Sequence, residues 1–148
     1  MTRSRPNDLR SGGIDFSSTE EVEAFKRQLK TRTGTSKLVL HMAPPCATFS
    51  RARDRSAATK VRSWDQPAGI QPISDEVSYA NEVAANALRL ACWAAEELDA
   101  YVTIENPKAS YLWQYWDLLG LGSQYEDVHL SMCRYGAVYK KDTKLKGA

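Results

Sequence analysis

Lys37-Leu38-Val39-Leu40-His41-Met42-Ala43-Pro44-Pro45-Cys46-Ala47-Thr48-Phe49-Ser50 is the stretch that decides the fold. Its first six residues form an apolar run of strand length. Pro44-Pro45 ends that run abruptly, because proline brings no N–H to a ladder and restrains the residue before it. A run with little alternation suits a parallel strand covered on both faces. His41, inside it, reads as a hydrogen-bonded core histidine. Just past the strand, on a loop, stands a cysteine.

Downstream of this stretch, residues 51–74 carry five basic side chains together with Gly69, Pro67 and Pro72, which reads as a long surface loop. From Asp75 to Leu98 the apolar positions Val77, Ala84, Leu88, Ala91, Ala95 and Leu98 recur at helical spacing. Tyr101-Val102-Thr103-Ile104 is a second strand, closed by a stiff turn at Glu105-Asn106-Pro107. Residues 109–119 read as a helix, with Trp113 and Trp116 as packing anchors. Residues 128–132 form a strand that ends near Cys133, and 137–145 a last strand after a turn at Gly136.

Upstream, Ile14-Asp15-Phe16 reads as a short strand ending in a carboxylate. Ser18 and Glu21 then make a capping box. Val22, Phe25 and Leu29 share one face of a helix over 19–31, which Gly34 stops. Residues 1–12 are polar and basic and read as a flexible arm. Strands alternating with helices give an α/β sheet, mostly parallel, over residues 13–148.

Composition narrows the function classes. At 148 residues the chain is one domain, and 43% hydrophobic residues supply one ordinary core. A net charge of +2 leaves the partner undecided. No run approaches the roughly 18 apolar residues of a membrane span, and no signal-peptide core follows Met1, so an intracellular protein without a membrane partner is expected. Three scattered cysteines and two histidines argue against a disulfide framework and against a metal site. Cys92, on the apolar side of a helix, and Cys133, at a strand end, read as structural.

In an open α/β sheet, ligands bind outside the carboxyl ends of the strands. Cys46 and Glu105 both fall at that edge, and strands joined by a helix lie side by side. The default for a free cysteine is an inert core residue. The Pro-Pro context and the downstream Glu105 instead favour a nucleophile. A thiolate can add to C6 of cytosine while a carboxyl group bonds N3 and the exocyclic amine, which makes C5 nucleophilic toward a methyl donor. Such chemistry requires an extruded base, hence basic loops nearby. Arg51, Arg53 and Arg55 follow the cysteine loop directly, and phosphate contact competes there with a solvated loop.

These residues resemble the cytosine C5-methyltransferase family. The segment 43–50 is similar to its Pro-Cys loop, which usually reads Pro-Cys-Gln-x-Phe-Ser; here Ala47 replaces the glutamine. Ile104-Glu105-Asn106-Pro107 is similar to its Glu-Asn-Val motif, with Pro107 for valine. Tyr135-Gly136-Ala137-Val138-Tyr139-Lys140-Lys141 is similar to its Tyr-Gly-x-Pro-Gln-x-Arg segment, with lysines in place of the arginine. Ile14-Asp15 matches the short acidic motif that meets the donor's adenine. All four motifs occur in the family's order.

The resemblance implies Cys46, Glu105 and Lys141 as catalytic residues, and Asp15 and Pro45 as contacts to S-adenosylmethionine, the methyl donor. It implies Ser50, Arg51, Arg53, Arg55 and Lys140 as contacts to nucleic acid, with DNA the expected polymer. The family's Phe-x-Gly-x-Gly donor loop and its target-recognition domain have no counterpart here. A partial, Rossmann-like methyltransferase sheet follows, inactive alone and completed by a second chain or a missing segment. The competing function is a non-catalytic remnant or nucleic-acid-binding module. An amino-methyltransferase is excluded, because Ala43 precedes the proline pair and Cys46 follows it where an aromatic residue is wanted.

Overall fold

The computed structural model describes residues 13–32, 37–138 and 141–147. The basic arm over 1–12, the stop at Gly34 and Lys140 lie outside the described residues. Three helices, α1 (Thr19–Arg32), α2 (Asp75–Leu98) and α3 (Leu112–Leu118), pack on a sheet of β1 (Val39–Met42), β2 (Tyr101–Pro107), β3 (Glu126–Ser131) and β4 (Asp142–Gly147). Strand order is β1-β2-β4-β3.

The fold is α/β, but one pairing of three is parallel. β1 runs with β2, Val39 opposite Tyr101 and Met42 opposite Ile104. β4 lies antiparallel to both β2 and β3. The expectation of a mostly parallel sheet therefore stands corrected. It extended the β1–α2–β2 crossover to the whole chain, whereas β3 and β4 are joined by a 3₁₀ turn and lie antiparallel. β1 is the terminal strand, and among the described residues no strand pairs its outer edge.

α2 forms because its apolar residues keep helical spacing over 24 residues. Ser74 caps its start by accepting from the Val77 N–H at 3.3 Å, and Asp99 closes it at φ 49°. Leu88, Leu90 and Ala91 are fully buried, and each such leucine contributes about 2 kcal/mol of burial. In α1, Val22, Phe25 and Leu29 face the core as the pattern requires. Half of the capping box forms: the Glu21 N–H donates to Ser18 Oγ, while the Glu21 carboxylate reaches past Ser18 to the N–H of Asp15. Ile14-Asp15-Phe16 is not a strand but leads into a turn at Phe16-Ser17, since Ser17 and Ser18 both fold back onto Asp15.

Among the described residues one face of the sheet is covered and one is bare, which corrects the expected burial of β1 on both faces. Along β2, Val102, Ile104 and Asn106 are buried beneath the helices, while Tyr101, Thr103 and Glu105 alternate onto the open face. On β1, Leu38 and Leu40 pack against the core and Met42 is buried, whereas Val39 and His41 are exposed. His41 is thus satisfied but not core: its Nδ1 lies 2.8 Å from Thr103 Oγ1 on the open face.

The last strand occupies 142–147 rather than 137–145. Its lysines serve as core cover. Lys144 lies 4.6 Å from the Trp113 ring centre and Lys146 5.3 Å from that of Trp116, and both pair with Asp127, at 2.5 and 2.7 Å. Trp113 and Trp116 are the buried anchors expected of them. Cys92 is buried, but Cys133 is exposed in the 3₁₀ turn Met132–Tyr135. That turn ends at Gly136, whose φ of 93° a side chain would strain. No helix among the described residues is long and apolar enough to cross a membrane.

Candidate active site

The loop after β1 is a crest held at both feet. Pro44 is buried, Pro45, Cys46 and Ala47 are exposed, and Thr48 and Phe49 are buried again. Each foot is fixed by another part of the chain. Asn106 donates from Nδ2 to the Pro44 carbonyl at 2.9 Å. Arg62 donates from Nε to the Thr48 carbonyl at 3.1 Å and from Nη2 to Thr48 Oγ1 at 2.8 Å. The Phe49 carbonyl accepts from the Tyr111 N–H at 2.9 Å.

Arg62 is the least expected member. It is 1% exposed and has no carboxylate partner among the described residues; its remaining bonds go to the Pro67 carbonyl and to Asn81 Oδ1, and its guanidinium lies 3.7 Å from the Phe49 ring centre. Burial lowers its pKa to about 10, and the charge therefore persists at neutral pH. Four oxygen acceptors and an aromatic face take the place of water around it.

Glu105 and Cys46 stand at the same, carboxyl end of the parallel pair, Cys46 beyond Met42 and Glu105 one residue beyond its partner Ile104. Glu105 belongs to β2, not to a turn, because β4 continues the pairing through Pro107. Its side chain emerges on the open face, where Lys141 Nζ lies 3.3 Å from Oε1. The structure thus brings Glu105 and Lys141 together and ties the strand of Glu105 to the Cys46 loop through Asn106.

The other expected residues are more dispersed. Ser50 caps the 3₁₀ turn Arg51–Arg55, accepting from the Ala52 N–H at 3.2 Å. Arg51 pairs with Asp54 at 3.2 Å, and Arg53 makes two bonds to Glu76, at 3.1 and 2.6 Å. Arg55 is exposed and has no partner among the described residues. The Asp54 carboxyl is held below its ordinary pKa by the Tyr111 hydroxyl, 2.7 Å away, with Arg51 and Lys60 adding to the effect against burial.

For the methyl donor, the residue types fit only in part. Asp15 accepts at Oδ1 from Ser17 N and Oγ, bonds that lower its pKa, and Oδ2 has no donor among the described residues. Pro45 offers exposed apolar surface. Cavities of about 240, 380 and 440 Å³ are lined, among others, by Lys108 and Arg134, by Asn86 and Arg89, and by Tyr101 and Leu145; none of these three includes Asp15, Pro45 or Cys46.

Sequence reasoning missed Arg62, Asn106 as a tether, and His41 beside Thr103 on the open face. The alternation of Leu38, Leu40 and Met42 with Lys37, Val39 and His41 carried a signal for the last. Nothing in the basic run 51–62 singles out Arg62 from its solvated neighbours. Comparison with protein-family models, with curated proteins and with solved structures finds no match for this chain.

Proposed function

We propose that the chain is a cytosine-activating domain of the C5-methyltransferase type, acting on nucleic acid, with DNA the expected polymer. The observation that carries this reading is the joint delivery of Cys46 and Glu105 to one end of the β1–β2 pair, locked by the Asn106–Pro44 bond. The β1–α2–β2 crossover is the part of the sheet that a Rossmann-like methyltransferase core would share.

In the proposed chemistry the Cys46 thiolate forms a bond to C6 of an extruded cytosine. The C5–C6 π electrons move toward C5 as Glu105 bonds N3 and the exocyclic amine. C5 then takes an electrophile; loss of the C5 proton and expulsion of the thiolate restore the ring. Lys141 keeps Glu105 oriented. S-adenosylmethionine, the proposed donor, would supply the electrophilic methyl group.

The alternative, a nucleic-acid-binding module without catalysis, is favoured by one observation: Asp15 and Pro45 share none of the three cavities. A donor-independent experiment separates the two. An oligonucleotide carrying 5-azacytosine needs only thiol addition and a proton to form an adduct. Mass spectrometry should find that adduct on the peptide containing Cys46. An adduct confined to the equally exposed Cys133, or a bound oligonucleotide with no adduct, would favour the module.

A further inference from the structure

Trp64 is 52% exposed, whereas Trp113 and Trp116 are buried and Trp93 is partly covered by Lys26 and Lys30. Single exposed aromatics are ordinary on protein surfaces. This one is held. Its ring meets that of Tyr111 edge to face, centres 5.9 Å apart at 77°. The Arg51 guanidinium lies 5.6 Å from the Trp64 ring centre and 5.9 Å from that of Tyr111. Asp54 fixes both supports, accepting from the Tyr111 hydroxyl and from Arg51. Tyr111 is also the residue whose N–H anchors Phe49, so the indole stands on the scaffold that carries the Cys46 crest.

An exposed, positioned aromatic ring beside an arginine suits a planar, electron-rich ligand attached to a phosphate chain. Stacking supplies base affinity without sequence preference, and the cation adds to it. Exposed Arg55 and Lys60 continue the positive charge along the same loop. We propose that Trp64 and Arg51 form a stacking platform for a nucleobase of single-stranded or locally opened nucleic acid, next to the Cys46 crest. The inference rests on the reading that the substrate is nucleic acid.

The test uses the full chain and a fluorescein-labelled oligothymidylate, followed by polarisation and by tryptophan emission. Binding should quench the emission. Trp64→Ala should weaken binding about tenfold, the scale of one lost stacking contact. Trp64→Phe should keep most of the affinity and lose the quenching, which serves also if the alanine variant folds poorly. An oligonucleotide of equal length with abasic sites should bind the wild type as weakly as oligothymidylate binds Trp64→Ala. The platform is overturned if abasic and normal strands bind alike, if quenching survives Trp64→Phe, or if the wild type does not bind. An acidic peptide of matched charge that quenches equally would reassign the surface to protein and overturn it too. Absence of base-dependent quenching with the Cys46 adduct to 5-azacytosine still formed defeats the platform alone; the converse defeats the ring chemistry alone.

Discussion

Asn106 donates from Nδ2 to the carbonyl of Pro44 at 2.9 Å, joining the residue after Glu105 to the loop that carries Cys46. The bond is fully buried and spans two elements far apart in sequence, so the relative position of thiol and carboxylate depends on it. Asn106→Ala should strand the Pro44 carbonyl without a donor and cost about 1–3 kcal/mol. Urea unfolding should show a lower midpoint with an unchanged slope. A midpoint equal to that of the wild type would mean that the loop does not need this tether.

The second foot of the crest depends on Arg62. Arg62→Met keeps much of the side-chain volume and removes every donor that serves Thr48, Pro67 and Asn81. A loss of about 2–4 kcal/mol is expected by the same measurement, since hydrogen bonds from a charged group exceed neutral ones and buried acceptors are left unpaired. Arg62→Lys should recover little, because an ammonium cannot reach these acceptors in the fork geometry of a guanidinium.

Acid should loosen the β3–β4 ribbon through Asp127. Burial alone would raise its carboxyl pKa, but hydrogen bonds from Lys144 and Lys146 outweigh burial and hold it below the ordinary value of 3.8. The folded pKa lies below the unfolded one, so the contribution is full above about pH 4 and disappears as pH falls through the folded value. A third of the side chain is exposed, and the pair is therefore worth about 1 kcal/mol or less. Asp127→Asn should lower stability at pH 7 and leave it unchanged near pH 2. A destabilisation that persists in full at pH 2 would show that packing, not charge, is what the substitution removes.

Thiol labelling of the native protein should separate the three cysteines. Cys46 and Cys133 are exposed and should react promptly with a disulfide reagent. Cys92 is buried, and burial raises its pKa, so it should react only on unfolding. Mass spectrometry of the labelled peptides gives the order. Prompt labelling of Cys92 would contradict the packing of α2.

Periodicity was enough for the helices. The apolar spacing from Val77 to Leu98 delimits α2, and Val22, Phe25 and Leu29 delimit the buried face of α1. The crossover from β1 to β2 followed from strand, helix and strand in sequence, and with it the shared end of Cys46 and Glu105. β4 reads as a strand over 137–145 and its bounds were harder to place, because its cover is lysine stem and ammonium over indole, which carries no apolar alternation. Arg62 could not be singled out, since two of its four acceptors are backbone carbonyls, which every residue carries, and the other two are an ordinary threonine hydroxyl and asparagine amide. The bare face of the sheet was legible in part, in the alternation around His41, but an apolar Val39 on that face concealed it.

Addition of Cys46 to C6 of cytosine, with Glu105 at N3, is measured without any methyl donor by hydrogen exchange at C5. After addition, C5 takes a proton from water; losing the original hydrogen and expelling the thiolate regenerates cytosine. The chain alone is expected to lack methyl transfer, but exchange needs no donor, so an oligonucleotide tritiated at cytosine C5 should release tritium to water in its presence. Release should vanish in Cys46→Ser, fall by about 10²–10⁴-fold in Glu105→Gln, and be unchanged in Cys92→Ser and Cys133→Ser. Release that survives Cys46→Ser, or none from a wild-type chain that binds the oligonucleotide, would contradict the account.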